Sequence, residues 1–259
     1  MRSPPDKEHL VTTNTVRQSP WIRRFREVPG ASVRLVCFPH AGGSATFFFP
    51  LAEALTPQVE VIAVQYPGRQ DRYREPCVND MTELVEQSLE ALLPWTDRPL
   101  TLLGHSMGAT VAFEVARRME ARGIVPRALL ASGRRAPTCA PGTGIAALDD
   151  RSLLAELELL HGTDARLFQD EELLGMVMPA IRSDYEALEG YRYQPGPALS
   201  CPVVALTGDH DRRVSLDQAR AWSDVAGTAF DLQVFSGGHF FLGDRTAEVA
   251  DVVRGVLGC

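Results

Sequence analysis

The amino-acid sequence predicts an α/β protein whose mostly parallel central sheet is covered by helices on both faces. Short apolar runs, typical of strands buried on both faces, alternate along the chain with stretches of helical periodicity. A Gly-x-Ser-x-Gly sequence between one such strand and the next helix also belongs to this class of fold. With 259 residues, 45% of them hydrophobic, the chain is long enough for one large domain of this kind.

The predicted elements follow the chain in order. Six mostly apolar runs are predicted to be strands: 33–38, 59–65, 100–103, 128–132, 202–207 and 230–235. Helical spacing of apolar residues predicts helices at 81–93, 109–119 and 246–257, and a short helix carries the three phenylalanines 47–49. We expect one of these phenylalanines to face the site and the other two to pack in the core. Strands that alternate with helices in this way form parallel sheets.

The alternation stops between residues 134 and 199, where the sequence contains no convincing strand. Helices are predicted there at 151–160 and 171–191. We expect a single domain over residues 21–259, with 134–199 as a helical insertion that forms a lid over the site. A separate helical domain is the alternative. The apolar residues of this insertion predict a pocket with few polar groups, and the polar residues 1–20 predict a disordered tail.

The segment 104–108, Gly-His-Ser-Met-Gly, is the predicted centre of the chemistry. In the turn from a buried strand to a helix, this sequence forms a nucleophile elbow that holds the hydroxyl of Ser106 above the sheet edge. Amides at the start of the following helix favour negative charge, so the N–H of Met107 is one candidate oxyanion donor. The glycine pair after the first predicted strand makes Ala41 the second candidate, as in α/β hydrolases.

An elbow serine needs a base and a residue that orients the base. A carboxylate and a histidine follow Ser106 after later strands, which is the α/β-hydrolase order, and strand ends meet at one edge of a parallel sheet. His239, in a glycine-rich loop, is predicted to be the base. Asp209 and Asp211 compete for the third position, and the spacing from Gly208 favours Asp211. The rival histidines are less well placed: His9, His40, His105, His161 and His210.

Composition excludes several other functions. A net charge of −7 argues against a nucleic-acid partner. No apolar run approaches the roughly 18 residues of a membrane span, so no membrane association is expected. The five cysteines are widely spaced and odd in number, which predicts a reduced cytoplasmic protein. No cluster of ligands predicts a metal or cofactor, and we expect a monomer.

These segments together resemble type II thioesterases, the discrete editing hydrolases that serve polyketide and nonribosomal peptide synthases. The resemblance depends on the segments 38–43, 67–69, 104–108, 132–137, 208–211 and 237–241. It implies an α/β-hydrolase fold with a helical lid and Ser106, Asp211 and His239 as catalytic residues, with Ala41 and Met107 as oxyanion donors. It also implies that stalled or wrong acyl groups are hydrolysed from the phosphopantetheine arms of acyl or peptidyl carrier proteins.

Several alternatives stay open at this point. A general carboxylesterase or an acyl-CoA thioesterase would share the same triad, and a cyclising thioesterase normally ends a much larger chain. A catalytically inactive binding module on the same scaffold is a hypothesis from another class. Because carrier proteins are usually acidic, docking on this acidic chain needs a local basic or apolar patch, for which Arg134 and Arg135 are candidates.

Overall fold

A seven-stranded sheet organises the computed structural model, which describes residues 19–140, 142, 144–160 and 171–259. The strands are β1 (Ile22–Arg24), β2 (Arg34–Phe38), β3 (Glu60–Val64), β4 (Leu100–His105), β5 (Leu129–Ser132), β6 (Val203–Gly208) and β7 (Phe230–Phe235). Their order across the sheet is β1-β3-β2-β4-β5-β6-β7, and all neighbours are parallel except β1 and β3. The mostly parallel sheet predicted from the sequence is confirmed.

Helices connect the strands and close the chain. They are α1 (Phe49–Leu55), α2 (Met81–Leu92), α3 (Met107–Ala121), α4 (Asp150–Glu158), α5 (Glu171–Gly190), α6 (Leu216–Arg220), α7 (Phe241–Asp244) and α8 (Thr246–Leu257). Single 3₁₀ turns lie at Ala45–Phe48, Gln70–Arg72, Leu93–Trp95 and Ala221–Val225. Local chemistry fixes some of the ends: Asp80 caps α2 by accepting the amide of Glu83 at 2.9 Å.

The two faces of the sheet carry separate apolar cores. Side chains alternate along a strand, so Val36 and Phe38 of β2 lie in one core, and Leu35 and Cys37 lie in the other. The first core is completed by α2 and α3, and the second by α1 and α8. A strand buried on both faces is apolar throughout, which is why these strands are visible in the sequence as apolar runs.

The segment between β5 and β6 contributes α4 and α5. Among its described residues none forms a strand of the sheet, and Leu199 makes only an isolated bridge with Ala226. The two helices pack on each other through a small apolar cluster of their own: Leu153, Leu157, Met178 and Ile181. The predicted role of 134–199 as a lid remains a prediction. Of the predicted tail, residues 1–18 lie outside the described residues.

Two local features differ from the sequence-based expectations. The antiparallel edge strand β1 was not predicted, because it is only three residues long and two of them are arginines. Of the three phenylalanines, Phe48 is buried in the core and Phe47 packs on the ring of His40. Phe49 is 49% exposed and contacts Phe25, so its predicted place in the core was wrong.

Candidate active site

The turn from β4 to α3 holds Ser106 in a backbone conformation that few residues adopt. Its φ is 54° and its ψ is −118°. A Cβ atom on Gly104 would lie 2.1 Å from the carbonyl oxygen of Gly108, and one on Gly108 would lie 1.9 Å from that of Phe38. The two glycines are therefore required for the strand and the helix to approach so closely. The amide of Ser106 donates to the carbonyl of Ser132 at 2.8 Å and ties the turn to β5.

Loops at the carboxyl ends of β6 and β7 bring a histidine and a carboxylate to this serine. The Nε2 atom of His239 lies 3.0 Å from Oγ of Ser106, and its Nδ1 lies 2.8 Å from Oδ2 of Asp211. Since a carboxylate accepts, Nδ1 carries the proton and Nε2 is left to accept from the serine hydroxyl. The side chains of His239 and Asp211 are 4% and 0% exposed, so the bond between them is largely shielded from solvent.

The second oxygen of Asp211 accepts the amide of Arg213 at 2.7 Å, which fixes the plane of the carboxylate. Asp209 has a different set of partners. It accepts the amide of Gly237 at 2.9 Å and the ring nitrogen of His210 at 2.6 Å. The backbone bond from Gly237, followed by the bond from His210, lowers the pKa of Asp209. Asp209 thus braces the loop before the histidine, while Asp211 contacts the histidine itself.

One candidate oxyanion amide begins α3, and the other lies in the loop after β2, whose start at Phe38 and Pro39 packs on Gly108 of the elbow. Met107 begins α3, a helix of 15 residues, and its amide lies at the positive end of the helix dipole. Ala41 precedes Gly42, whose φ of 73° turns the loop after β2. In the described ranges of the chain, no protein acceptor takes the amide of Ala41 or that of Met107. The amide of Gly42, by contrast, donates to Oδ2 of Asp184 at 2.7 Å.

The carboxylate of Asp184 links α5 to this loop, a connection that the sequence did not suggest. It forms a bidentate pair with Arg69 at 2.6 and 2.9 Å, and Arg69 in turn lies 3.3 Å from the carbonyl of Gly43. Asp184 is fully buried and Arg69 nearly so. The side chain of Ile181 fills the space where a Cβ atom on Gly42 would lie. The loop that presents Ala41 is therefore clamped against α5.

Two other histidines near the serine have different surroundings. His105 places Nδ1 2.9 Å from Oγ of Ser132, and burial, with a smaller effect of His239, holds its pKa well below the usual range. His40 lies between Phe47 and Phe240, and burial lowers its pKa to about 3. Both rings are neutral at physiological pH. His210 is exposed, and the other two rivals, His9 and His161, lie outside the described residues.

Ser106 and His239 line a cavity of about 70 Å³ that α5 borders through Tyr185 and Leu188. The sequence predicted few polar groups here, and that prediction was wrong. The charged side chains that line the cavity are Arg134, Arg135, Glu189 and Arg213. An open cleft of about 720 Å³ approaches His239 from the side of Leu159 and Arg212. A groove of about 810 Å³ between α2, α3 and the end of α5 contains neither Ser106 nor His239.

The described residues include no group of three or more histidine, cysteine or acidic side chains placed to hold a metal ion. Within the same ranges, no helix has the length and apolar character that crossing a membrane requires.

The sheet, the elbow and the buried histidine define the class of protein, an α/β hydrolase. Residues 33–256 match the family model of the thioesterase domain. The chain belongs to this family, as a type II thioesterase and a serine hydrolase of thioester bonds.

Individual relatives span most of the chain. It is 50% identical over 233 residues to the thioesterase PikA5 of Streptomyces venezuelae, covering 89% of this chain and 83% of that one. It is 46% identical to a probable cadicidin biosynthesis thioesterase of Streptomyces griseus, of which it spans 65%. The solved type II thioesterase BorB from the borrelidin biosynthetic cluster superposes with a TM-score of 0.86 at 49% identity, covering 92% of this chain and 97% of that one. These similarities confirm the α/β-hydrolase fold and the family resemblance.

Proposed function

We propose that this type II thioesterase removes acyl groups from the phosphopantetheine arms of carrier protein domains in polyketide or nonribosomal peptide biosynthesis. The observation that carries the chemical part is the continuous hydrogen-bonded chain from Ser106 through His239 to Asp211. The choice of substrate is supported by similarity to BorB, a type II thioesterase from the borrelidin biosynthetic cluster. It is also supported by similarity to YbtT, a type II thioesterase from a mixed synthase pathway, at 31% identity and a TM-score of 0.82.

In the acylation step, Nε2 of His239 takes the proton of the Ser106 hydroxyl while Oγ attacks the thioester carbonyl carbon. The carbonyl oxygen becomes an oxyanion, for which the amides of Ala41 and Met107 are the proposed donors. The carbon–sulfur bond then breaks, and His239 returns the proton to the departing sulfur, so the arm leaves as a free thiol. The acyl group is left as an ester on Ser106.

Deacylation repeats the same proton transfers with water as the nucleophile. His239 takes a proton from the water, whose oxygen attacks the ester carbonyl, and then protonates Oγ of Ser106 as the free acid departs. In both steps the buried carboxylate of Asp211 keeps the proton on Nδ1 and stabilises the imidazolium that forms. Both steps thus use the same three side chains and the same two amides.

The oxyanion donors need a rigid loop, since a misplaced donor stabilises the transition state much less. The buried pair of Arg69 and Asp184 supplies this rigidity, because Asp184 holds the amide of Gly42 on the side of α5. We assign Asp184 the part of a positioning residue, which acts through the loop and does not touch the reacting atoms.

The remaining organisation of the chain is proposed on similar grounds. Residues 21–259 form one domain with a tail before it, and the insertion 134–199 covers the site, since its helix α5 borders the Ser106 cavity. All five cysteines are free thiols, which favours a reducing compartment such as the cytoplasm. We propose that the protein acts there as a monomer.

The test compares a propionyl group on a carrier protein with the same group on coenzyme A. A higher kcat/KM for the carrier-bound group supports the proposal, and equal values favour a general acyl-CoA thioesterase. An oxygen ester of the same acid is the control, because a carboxylesterase would hydrolyse it as readily as the thioester. Failure of a fluorophosphonate probe to label the protein would instead indicate an inactive binding module.

A further inference from the structure

Three arginines meet at a pocket beside the active site without a carboxylate to pair with. The pocket measures about 310 Å³, and Arg134, Arg135 and Arg192 line it together with aromatic residues that include Phe113 and Tyr193. We call it the arginine pocket. No aspartate or glutamate lines it, although the chain as a whole has a net charge of −7. The local charge is thus opposite to that of the protein.

The hydrogen bonds of these three arginines go to neutral groups. Arg134 donates from Nε to the hydroxyl of Thr110 at 3.1 Å. Arg135 donates to the carbonyl of Ala140 at 3.2 Å, and Arg192 donates to the carbonyl of its neighbour Tyr191 at 2.9 Å. None of the three forms an ion pair with any described residue.

Two other arginines near these elements do pair with carboxylates. Arg213, near the same cavity, pairs with Glu156 at 2.9 Å, and Arg118 on α3 pairs with Glu114 at 2.6 Å. The position of Arg134 also disfavours its positive charge. Burial and the neighbouring Arg135 lower the pKa of the Arg134 guanidinium to about 10. An arginine with that pKa stays charged at neutral pH, and a bound anion would offset its desolvation.

The arginine pocket adjoins the cavity of the catalytic centre. Arg134, Arg135 and Leu188 line both this pocket and the cavity that contains Ser106. Arg192 lines the arginine pocket but not the Ser106 cavity. A substrate with its carbonyl at Ser106 can therefore place a second, distant group among the arginines.

We propose that the arginine pocket binds an anionic group of the thioester substrate, and that this group is the phosphate of the phosphopantetheine arm. The inference rests on the proposed function. The phosphate is separated from the thioester carbonyl by the whole pantetheine unit, as a pocket beside the Ser106 cavity requires. A carboxylate on a short acyl group would lie next to the carbonyl, in the Ser106 cavity, which Arg192 does not line. Guanidinium groups suit phosphate oxygens because their planar donors bind two oxygens at once.

The test uses four small thioesters: propionyl and malonyl groups, each on pantetheine and on 4′-phosphopantetheine. The measured quantity is the ratio of kcat/KM with the phosphate to kcat/KM without it. For the protein without substitutions we expect a ratio of about ten or more for both acyl groups. One charge-assisted hydrogen bond to the phosphate would raise kcat/KM by about that factor. Arg192→Gln and Arg135→Gln should each move the ratio toward one, mainly through KM.

Arg127→Gln is the matched control, because Arg127 is exposed and forms no ion pair with the described residues. It should keep the ratio of the unchanged protein. A ratio of one in the protein without substitutions overturns the proposal, and so do equal ratios in Arg192→Gln and Arg127→Gln. If the variants instead lose activity on malonyl thioesters of pantetheine alone, the anion is the acyl carboxylate and the phosphate assignment is wrong. Hydrolysis of propionyl-pantetheine, measured throughout, reports separately on the proposed thioesterase chemistry.

Discussion

The two walls of the Ser106 cavity are built in different ways. On one wall Ser106, Asp211 and His239 follow three strands of one sheet, and backbone pairing places these strands in register. On the other wall Tyr185 and Leu188 extend from a helix of the insertion, which packs mainly through side chains and has its own small apolar cluster. The backbone pairing of the sheet therefore positions the three strand-end side chains. Side-chain packing of the insertion positions the residues that border the cavity opposite them.

Asp184 joins the two walls. It belongs to the insertion, yet its carboxylate binds the amide of Gly42 and the guanidinium of Arg69 beside the loop that contains the proposed oxyanion donor Ala41. The first half of the same helix is less well covered, with Leu173 40% and Met176 49% exposed. The comparison therefore predicts that α5 is anchored to the site at its second half, while α4 depends on the insertion's own packing.

The largest expected effect comes from a change in the wall that Ser106, Asp211 and His239 form. Asp211→Asn should lower kcat by about 10⁴, because an amide leaves the proton of His239 on the wrong nitrogen. Asp209→Asn removes a carboxylate two residues away that does not contact the histidine, so it should lose far less. Both are measured on one acyl-pantetheine thioester, with circular dichroism to verify folding. A crippled Asp209→Asn beside an active Asp211→Asn would reverse the assignment.

A smaller effect tests the link between the walls. Asp184→Asn should lower kcat by roughly ten- to a hundredfold with little change in KM, because loosened oxyanion amides stabilise the transition state less. Glu60→Gln is the matched control, since Glu60 is also buried and pairs with Arg34 at 2.5 Å, away from the site. Breaking either buried pair should lower Tm.

The two variants separate catalysis from stability. If Asp184→Asn and Glu60→Gln lose equal Tm and neither loses kcat, the carboxylate of Asp184 is structural only. If Asp184→Asn raises KM and keeps kcat, it acts on substrate binding and not on the oxyanion loop.

A third prediction concerns the ring of His40, which lies between Phe47 and Phe240. The pKa of His40 falls from its usual 6.5 to about 3 on folding, so between these values the unfolded chain binds the proton and the folded chain does not. Stability is then fully present above pH 6.5 and is lost as pH falls toward 3, by up to about 1.4 kcal/mol per pH unit from this residue. Urea unfolding of His40→Gln from pH 7.5 to 4.5 should show a shallower slope. An unchanged slope of unfolding free energy against pH would mean that folding does not lower the pKa of His40.

The smallest effect tests the insertion. Amides of α4 should exchange with deuterium faster than those of the second half of α5, and both faster than those of β4. Mass spectrometry of peptic peptides measures these rates. Equal protection of α4 and β4 would mean that the insertion is a fixed subdomain and not a lid.

The same contrast explains what the sequence could reveal. The six parallel strands were predictable because buried strands are apolar throughout, and the place of Ser106 was predictable because the elbow demands glycine at 104 and 108. The spacing from Gly208 favoured Asp211, which is the carboxylate that contacts His239. Asp184 could not be found, because it meets Arg69 only after α5 packs on the loop, across 115 residues of chain. The charged lining of the cavity was missed for the same reason.

The most direct test of the account follows the mass of a carrier protein loaded with a propionyl group on its phosphopantetheine arm. The unchanged thioesterase should return the carrier to its free-thiol mass within minutes, while Ser106→Ala should leave the acyl mass in place, because the oxyanion donors alone give only a residual rate. Removal of the acyl group by Ser106→Ala at nearly the unchanged rate would contradict the account, since the hydroxyl of Ser106 could not then be the nucleophile.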